Sequence, residues 1–165
     1  MKTRKVIGFL VLGLLLPWGG VHAGPGLKEG LGIEGDWQTR DYSTKQPSSI
    51  IHIWQAEGRY FGKIKRVYPG QANQIEQCTA CQGWQHNNPI IGLLILEGLV
   101  QKGKSEYENG RILDPRSGKL YQCKMELSED GRELKMRAYL GFSLIGATDV
   151  WYRFPVKSSK SHTTP

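Results

Sequence analysis

The chain has 165 residues and a formal net charge of +7, from 22 lysines and arginines against 15 aspartates and glutamates. This length supports a single hydrophobic core and therefore one domain of ordinary size. The charge does not indicate a nucleic-acid partner, because no basic cluster interleaved with aromatic residues and no nucleic-acid-binding motif occurs. The 21 glycines are spread over turns and do not form a phosphate-binding loop.

The N-terminus has the layout of a secretory signal peptide. Residues 1–5 are basic, residues 6–17 form an apolar run, and Val21-His22-Ala23 supplies small residues for cleavage after Ala23. A transmembrane anchor is the alternative, but a span needs roughly 20 apolar residues, and Pro17 ends this run early. No cysteine lies near the cleavage point, which disfavours a lipid-anchored form. We therefore predict an exported protein, periplasmic or secreted, whose mature chain has no transmembrane segment.

Residues 33–155 are predicted to form the folded domain, between two segments with little to bury. Cleavage would remove Lys2, Arg4 and Lys5 and lower the formal charge from +7 to +4, which is ordinary for a soluble domain. Residues 24–32 are rich in glycine and are predicted to be a flexible segment that leads into the domain. Residues 156–165 are polar and are predicted to be a disordered tail.

Short strand signals recur along the domain, with turn residues between them. The predicted strands are residues 37–42, 49–56, 60–67, 93–100, 106–113, 119–127, 132–140 and 147–154. Alternation is clearest in residues 119–127 and 132–140, where every second residue is apolar, as a half-buried antiparallel strand requires. About eight such strands indicate an all-β fold, either a sandwich or a small up-and-down antiparallel barrel. A barrel is favoured because closure removes exposed strand edges.

The two ends of the predicted barrel resemble those of lipocalins. Gly35-Asp36-Trp37 opens the first strand, and Trp151-Tyr152-Arg153 lies in the last strand. In lipocalins a Gly-x-Trp opens the first strand, and an arginine from the far end of the barrel stacks on that tryptophan. The resemblance implies that Arg153 covers Trp37 and that Trp37, Trp151 and Arg153 close the barrel. A guanidinium can lie on the face of an indole through a cation–π interaction.

A closer resemblance covers nearly the whole domain. Its most specific pieces are the Asp114-Pro115 turn, Arg137-Ala138-Tyr139-Leu140-Gly141 and Trp151. These are similar to the bacterial domain of unknown function family 2147, although the family often has glycine where Ala138 stands. Cys123 matches no position of the family pattern. The resemblance implies a secreted, mostly Gram-negative protein with a lipocalin-like β-barrel, and it implies no established activity.

Cys78 and Cys81 lie in a polar loop between predicted strands, and three interpretations compete. A structural disulfide suits an exported protein. A redox pair normally follows a strand at a helix N-terminus, which lowers the thiol pKa, and a metal site with His86 lacks a fourth ligand unless Cys123 or His52 approaches. We predict the Cys78–Cys81 disulfide, with Cys123 a free, buried thiol on the apolar face of its strand. Pairing of Cys123 with a loop cysteine is the open alternative.

No constellation of catalytic residues emerges from the sequence. The histidines are not clustered, and no serine lies in a nucleophile-elbow pattern. Asp149 shares a strand face with Trp151 and Arg153, which indicates a structural ion pair. We therefore predict no catalytic residues, no cofactor and no metal, and hence a protein that is not an enzyme.

The aromatic residues have two possible roles. They can pack in the core and at the barrel ends, or they can line a ligand site, because an eight-stranded barrel can hold one small ligand. The candidate ligand-lining residues are Trp54, Phe61, Tyr121, Met125, Met136 and Tyr139. The leading hypothesis is binding of a small apolar or amphipathic ligand, such as a fatty acid or lipid, in the periplasm. The alternatives are a non-enzymatic envelope interaction module that uses the Cys78–Cys81 loop, and a redox or metal-handling protein.

Overall fold

The computed structural model describes residues 32–70 and 75–154. The predicted signal peptide and the predicted tail lie outside the described residues, as does the predicted leading segment apart from Gly32. No helix within the two described segments is long and apolar enough to cross a membrane.

A single closed β-sheet forms the fold. The strands are β1 Gly35–Arg40, β2 Pro47–Ala56, β3 Arg59–Val67, β4 Leu94–Gln101, β5 Glu106–Asp114, β6 Lys119–Leu127, β7 Glu133–Tyr139 and β8 Gly146–Arg153. Each strand pairs antiparallel with the next one along the chain, and β8 pairs with β1 to close the barrel. The predicted all-β, up-and-down antiparallel barrel is confirmed. Among residues 32–70 and 75–154 the one helical element is a 3₁₀ turn, Gly83–Gln85.

Local turn chemistry explains where the observed strand bounds differ from the predicted ones. β1 ends at Arg40, two residues early, because the Asp41 carboxylate accepts hydrogen bonds from the backbone N–H groups of Ser43 (3.0 Å) and Thr44 (2.9 Å). An aspartate that caps its own following residues in this way starts a turn. β7 ends one residue early, before Gly141, which has a φ of +70° that glycine adopts without steric cost.

The half of the barrel around β4, β5 and β6 has a dense interior. A Cβ on Gly110 would lie 2.6 Å from Cγ of Leu99 and 2.9 Å from Sγ of Cys123. A glycine in a strand marks such close approach, so Gly110 permits packing that any side chain would disrupt. The largest fully buried side chains are Trp37, Tyr107, Ile33, Ile51, Ile53, Leu96, Leu99, Leu134, Cys78 and Cys123.

The connections alternate between two ends of the barrel, because consecutive strands run in opposite directions. The end where β1 begins has short turns over residues 57–58, 102–105 and 128–132, and we call it the closed end. The opposite end, which we call the mouth, carries residues 41–46, 68–70 and 75–93, 115–118 and 140–145.

Residues 75–93, here called the cysteine loop, are folded back on themselves at the mouth. The backbone N–H of Cys78 donates to the carbonyl of Asn88 (2.9 Å), and the N–H of Ile90 donates to the carbonyl of Glu76 (2.9 Å). The loop packs against the β5–β6 turn, where Gly118 has a φ of +69° and a side chain would collide with the backbone of Ala80. Gly118 therefore permits both the turn and the contact.

Candidate functional site

Trp37 and Arg153 are stacked on each other at the closed end. The guanidinium carbon of Arg153 lies 4.3 Å from the centroid of the Trp37 ring. Arg153 also donates to three backbone carbonyls, from Nε to Gly131 (2.6 Å), from Nη1 to Glu34 (3.0 Å) and from Nη2 to Gly32 (2.7 Å). The stacking implied by the lipocalin resemblance is present in the structure. The arginine joins the residues before β1 to the turn between β6 and β7.

A cavity of about 410 Å³ occupies the mouth half of the barrel. Small-molecule sites have volumes of roughly 300–1,000 Å³ and mostly apolar walls. Its hydrophobic lining consists of Ile51, Ile64, Ile95, Ile112, Leu113, Tyr121, Met136, Ala138 and Trp151, with Tyr42 and Pro115 in the mouth loops. Its polar lining consists of Thr39, Arg40, Asp41, Ser48, Ser49, Asp114, Arg116 and Asp149. Most of these polar residues belong to the mouth loops or to the strand ends beside them, so the polar groups gather at the opening.

Asp149 places a carboxylate in this largely apolar cavity. Its Oδ2 accepts a hydrogen bond from Nε1 of Trp151 (2.9 Å), and its Oδ1 accepts one from the backbone N–H of Val150 (2.9 Å). Burial raises the pKa of Asp149 above its ordinary value of 3.8, although these two donors and Lys45 act in the opposite direction. The predicted ion pair with Arg153 is wrong. Arg153 directs its donors to backbone carbonyls instead.

Of the six predicted ligand-lining residues, Tyr121 and Met136 line the cavity. Met125 does not line it and is buried in the hydrophobic core, where it pairs with Tyr107 across β5 and β6. Trp54, Phe61 and Tyr139 do not line the cavity either.

The placement of Trp54 and Phe61 corrects the prediction, and strand alternation is the reason. In β2 the buried residues Ile51 and Ile53 point inward, so Trp54 points outward. Its ring stacks on Phe61 of β3, with 6.0 Å between the centroids. Tyr139 lies in the same way on the outward side of β7.

Several cavity residues were missed by the sequence reasoning. Ile64 could have been found, because it lies between Lys63 and Lys65 on its strand, whereas Ile51 and Ile112 each adjoin a second apolar residue. Asp41 and Arg116 could not, since they meet at the opening from two separate mouth connections, with Nη2 of Arg116 4.0 Å from Oδ2 of Asp41. No local pattern in the sequence indicates that these two residues are neighbours.

The two cysteines of the cysteine loop form a disulfide. Their Cα atoms are 5.3 Å apart, and Cys123 is a free, buried thiol. The sulfur of Cys78 lies 3.3 Å from the carbonyl oxygen of Pro115, so the disulfide also contacts the β5–β6 turn. His86 points its Nδ1 at the carbonyl of Cys81 (3.0 Å). Within residues 32–70 and 75–154, no group of three or more His, Cys, Asp and Glu residues is placed to hold a metal.

We expect one free thiol per chain, which reacts only after unfolding. Burial raises the pKa of Cys123 to about 12, and only the thiolate is nucleophilic. An aromatic disulfide reagent at neutral pH should therefore detect almost no thiol in the folded protein and one thiol in denaturant. Peptide mapping without reduction should recover Cys78 joined to Cys81. A bridge between Cys123 and either loop cysteine would contradict both the structure and this prediction.

A charged cluster lies on the outer wall, away from the cavity. The Asp36 carboxylate contacts Nδ1 of His52 (2.7 Å) and accepts a hydrogen bond from Nζ of Lys65 (2.6 Å). Burial acts to raise the pKa of Asp36, but the hydrogen bonds from Lys65 and His52 outweigh it and the pKa is lowered. The cluster ties β1 to β2 and β3, so we interpret it as structural.

Residues 35–153 match the profile of a family described as "Uncharacterized protein conserved in bacteria (DUF2147)". The chain belongs to this family. The match confirms the family resemblance that the Asp114-Pro115 turn and Trp151 indicated. It runs from the first residue of β1 to the last residue of β8, and thus includes the whole barrel.

One solved structure supports the same architecture for this member of the family. It is HP1028 from the human pathogen Helicobacter pylori, a protein described as belonging to the lipocalin family. The TM-score is 0.66, the sequence identity is 19%, and the match covers 76% of this chain and 84% of that chain. At this identity the likeness concerns the fold, and the lipocalin-like barrel is confirmed. No curated protein matches the chain significantly.

Proposed function

We propose that the protein binds one small apolar or amphipathic molecule, of fatty-acid or lipid type, and that it does so without catalysing a reaction. The cavity of about 410 Å³ is the observation that carries this proposal. It is large enough for a small ligand, and it opens at the mouth. The hydrophobic part of the lining gives an apolar chain a favourable environment, because burial stabilises by roughly 25 cal/mol per Å² of apolar surface.

The charges around the cavity favour one orientation of an amphipathic ligand. A ligand carboxylate deep in the barrel would approach Asp149, and two like charges in a poorly solvated space repel strongly. Arg116 and Arg40 lie instead among the lining residues at the opening, where the acids Asp41 and Asp114 already accept hydrogen bonds from their own turns. We therefore propose that the apolar chain enters first and that an anionic head group stays beside these arginines.

The compartment is part of the same proposal. The Cys78–Cys81 disulfide suits an oxidising environment such as the periplasm, and the predicted signal peptide supports export. N-terminal sequencing of the protein purified from an expressing Gram-negative host should begin at Gly24. A chain that begins at Met1 in the cytoplasmic fraction would contradict this part of the proposal.

Ligand binding is tested by native mass spectrometry and by fluorescence titration. The delipidated protein is titrated with fatty acids, fatty alcohols and lysophospholipids of increasing chain length, each in competition with a fluorescent fatty acid. We expect saturable binding of one molecule per chain, with an affinity of about 1 µM or tighter for the best chain length. The absence of displaceable binding across the panel would overturn the proposal.

Asp149 should make the binding of an uncharged ligand dependent on pH. An apolar molecule in the cavity removes water from the carboxylate, which penalises only its ionised form. Because burial raises the pKa of Asp149 above 3.8, affinity for a fatty alcohol should be highest in acid and fall severalfold as pH rises through that raised pKa. Folding stability contributed by this group should fall with pH in the same direction.

The matched control for this prediction is Asp149→Asn, which keeps the side-chain shape and does not titrate. Titration of both proteins with a fatty alcohol between pH 4 and pH 7 should show a pH dependence that the variant lacks. If the affinities of the two proteins depend equally on pH, a titratable group other than Asp149 causes the dependence.

Exposed aromatic and aliphatic side chains on the cysteine loop favour a second candidate function, an interaction module of the cell envelope. Trp84 is 68% exposed and Ile91 is 63% exposed. Aromatic residues are enriched at protein interfaces. Loss of a co-purifying envelope protein on Trp84→Ser, with ligand binding intact, would support this function.

A further inference from the structure

The hairpin that joins β7 to β8 carries an exposed apolar tip at the mouth. The side chains of its tip are between 61% and 89% exposed, and they are Leu140, Phe142, Leu144 and Ile145. Residues 138–148 contain no charged residue. Single exposed apolar residues are normal on a protein surface, but a contiguous group of them marks a contact site.

Arg137 holds this tip in a defined shape. Its guanidinium donates to the carbonyls of Ser143 (2.7 Å) and Leu144 (3.0 Å) and to Oγ1 of Thr148 (2.9 Å). The arginine therefore occupies the concave side of the hairpin. Because the backbone is fixed in this way, the apolar side chains stay turned toward the solvent.

The tip also stands clear of the first strand. β8 pairs with β1 only through Trp37 with Arg153 and Gln38 with Tyr152. Toward the mouth from these pairs, β8 continues to Gly146 with β7 as its partner. The β7–β8 hairpin thus projects at the mouth, where a flat surface can reach it.

Cations flank the tip on two other mouth connections. Residues 40–46 carry Arg40 and Lys45 with one acid, and residues 114–119 carry Arg116 and Lys119 with one acid. Both acids accept hydrogen bonds from their own loops, and Asp41 also lies 4.0 Å from Nη2 of Arg116. Asp41 accepts hydrogen bonds from Ser43 and Thr44, and Asp114 accepts hydrogen bonds from the Arg116 N–H and the Ser117 hydroxyl.

Tyr42 adds an amphipathic side chain beside the cations of residues 40–46. It is exposed, and Nζ of Lys45 lies 4.6 Å from the centroid of its ring. Tyrosine and lysine are suited to the level of lipid head groups, because each joins an apolar body to a polar end. On the cysteine loop, Glu76 is the one exposed acid in the described part of that loop.

We propose that the mouth of the barrel docks on an anionic lipid surface. The tip of the β7–β8 hairpin enters the interface, and the cations of residues 40–46 and 114–119 contact the phosphates. An apolar face flanked by cations is the combination that binds anionic membranes. The cavity opens at the same end, so docking turns its opening toward the lipid. This inference goes beyond ligand binding in solution.

The test is co-sedimentation of the protein, as the expressing bacterium processes it, with two kinds of vesicle. One kind is phosphatidylcholine alone, and the other contains equal parts of phosphatidylcholine and phosphatidylglycerol. We expect binding to the mixed vesicles that weakens at high salt, because salt screens charges at the surface. Absence of binding to the mixed vesicles would overturn the inference.

Matched variants identify the surface that binds. F142S/L144S should reduce binding to the mixed vesicles at least tenfold, and K45Q/K119Q should reduce it about fivefold for each removed cation. K102Q/K104Q, in the turn at the closed end, should bind like the parent protein. Equal losses in F142S/L144S, K45Q/K119Q and K102Q/K104Q would overturn the assignment to the mouth.

Two further measurements separate membrane docking from ligand binding in solution and from dimer formation. Displacement of a fluorescent fatty acid in vesicle-free solution should be unchanged in F142S/L144S, so failure of vesicle binding and failure of ligand binding are distinguishable. Sedimentation velocity tests whether a second copy covers the tip. A concentration-dependent dimer of the parent protein that F142S/L144S abolishes would overturn the membrane assignment.

Discussion

Replacing Arg153 with methionine is expected to lower the free energy of unfolding by about 3 kcal/mol. The methionine fills similar space but donates no hydrogen bond. The carbonyls of Gly32, Glu34 and Gly131 would lose their partner, and those of Gly32 and Gly131 are part-buried. A polar group left buried and unpaired costs about 1–3 kcal/mol. The cation over the Trp37 ring is lost as well. These contributions overlap, so their sum overstates the total.

Urea unfolding followed by tryptophan fluorescence gives the measurement, with the slope of the transition compared between proteins. Arg132→Met is the control, because its side chain is 84% exposed in the neighbouring turn and should change stability by less than about 0.5 kcal/mol. Arg153→Lys should lie between the two, since one ammonium cannot reach three carbonyls. A loss below about 1 kcal/mol for Arg153→Met would show that closure does not depend on this residue.

Filling the cavity with Ala138→Trp is expected to weaken ligand binding about 100-fold or more, because a ligand would clash with the indole. Ala138 lines the cavity on β7, where the added ring meets open space. Folding stability should therefore change by less than about 1 kcal/mol, unlike overpacking of a filled core. The measurements are displacement of a fluorescent fatty acid and urea unfolding of the same sample.

Ala56→Trp is the matched control, since Ala56 is exposed at the closed end of β2 and should leave affinity unchanged. If Ala138→Trp folds and still binds like the parent protein, the ligand does not lie in the cavity. If Ala138→Trp loses both stability and binding, misfolding and a blocked cavity cannot be told apart from that variant. Ala138→Leu then decides, because this smaller side chain should weaken binding in a protein that still folds.

The strands and the closure of the barrel could be predicted because both depend on short-range signals. The alternation of apolar and polar residues in β6 and β7 indicates which residues face inward. Gly35-Asp36-Trp37 and Arg153 resemble the residues that close a lipocalin barrel. The aromatic residues were a poorer guide. Trp54 was predicted to line a site because it is aromatic, although Ile51 and Ile53 on the opposite side of β2 already indicate that it faces outward.

The cavity itself could not be predicted from local patterns. Whether eight strands enclose a filled or a hollow interior depends on the summed volumes of side chains from every strand. Gly110 and Leu99 fill one region, whereas Ala138 and Met136 leave space in another. Arg116 and Asp41 meet only because two distant mouth connections fold to the same end.

The contact between the first and last strands also sets an order of events during synthesis. β1 meets β8 through two residue pairs, while β2 and β3 share eight. The ribosome makes β8 last, so β1 keeps one unpaired edge until translation of the domain is complete. Contacts between distant parts of a chain form slowly. The barrel can therefore close only after elongation has passed β8.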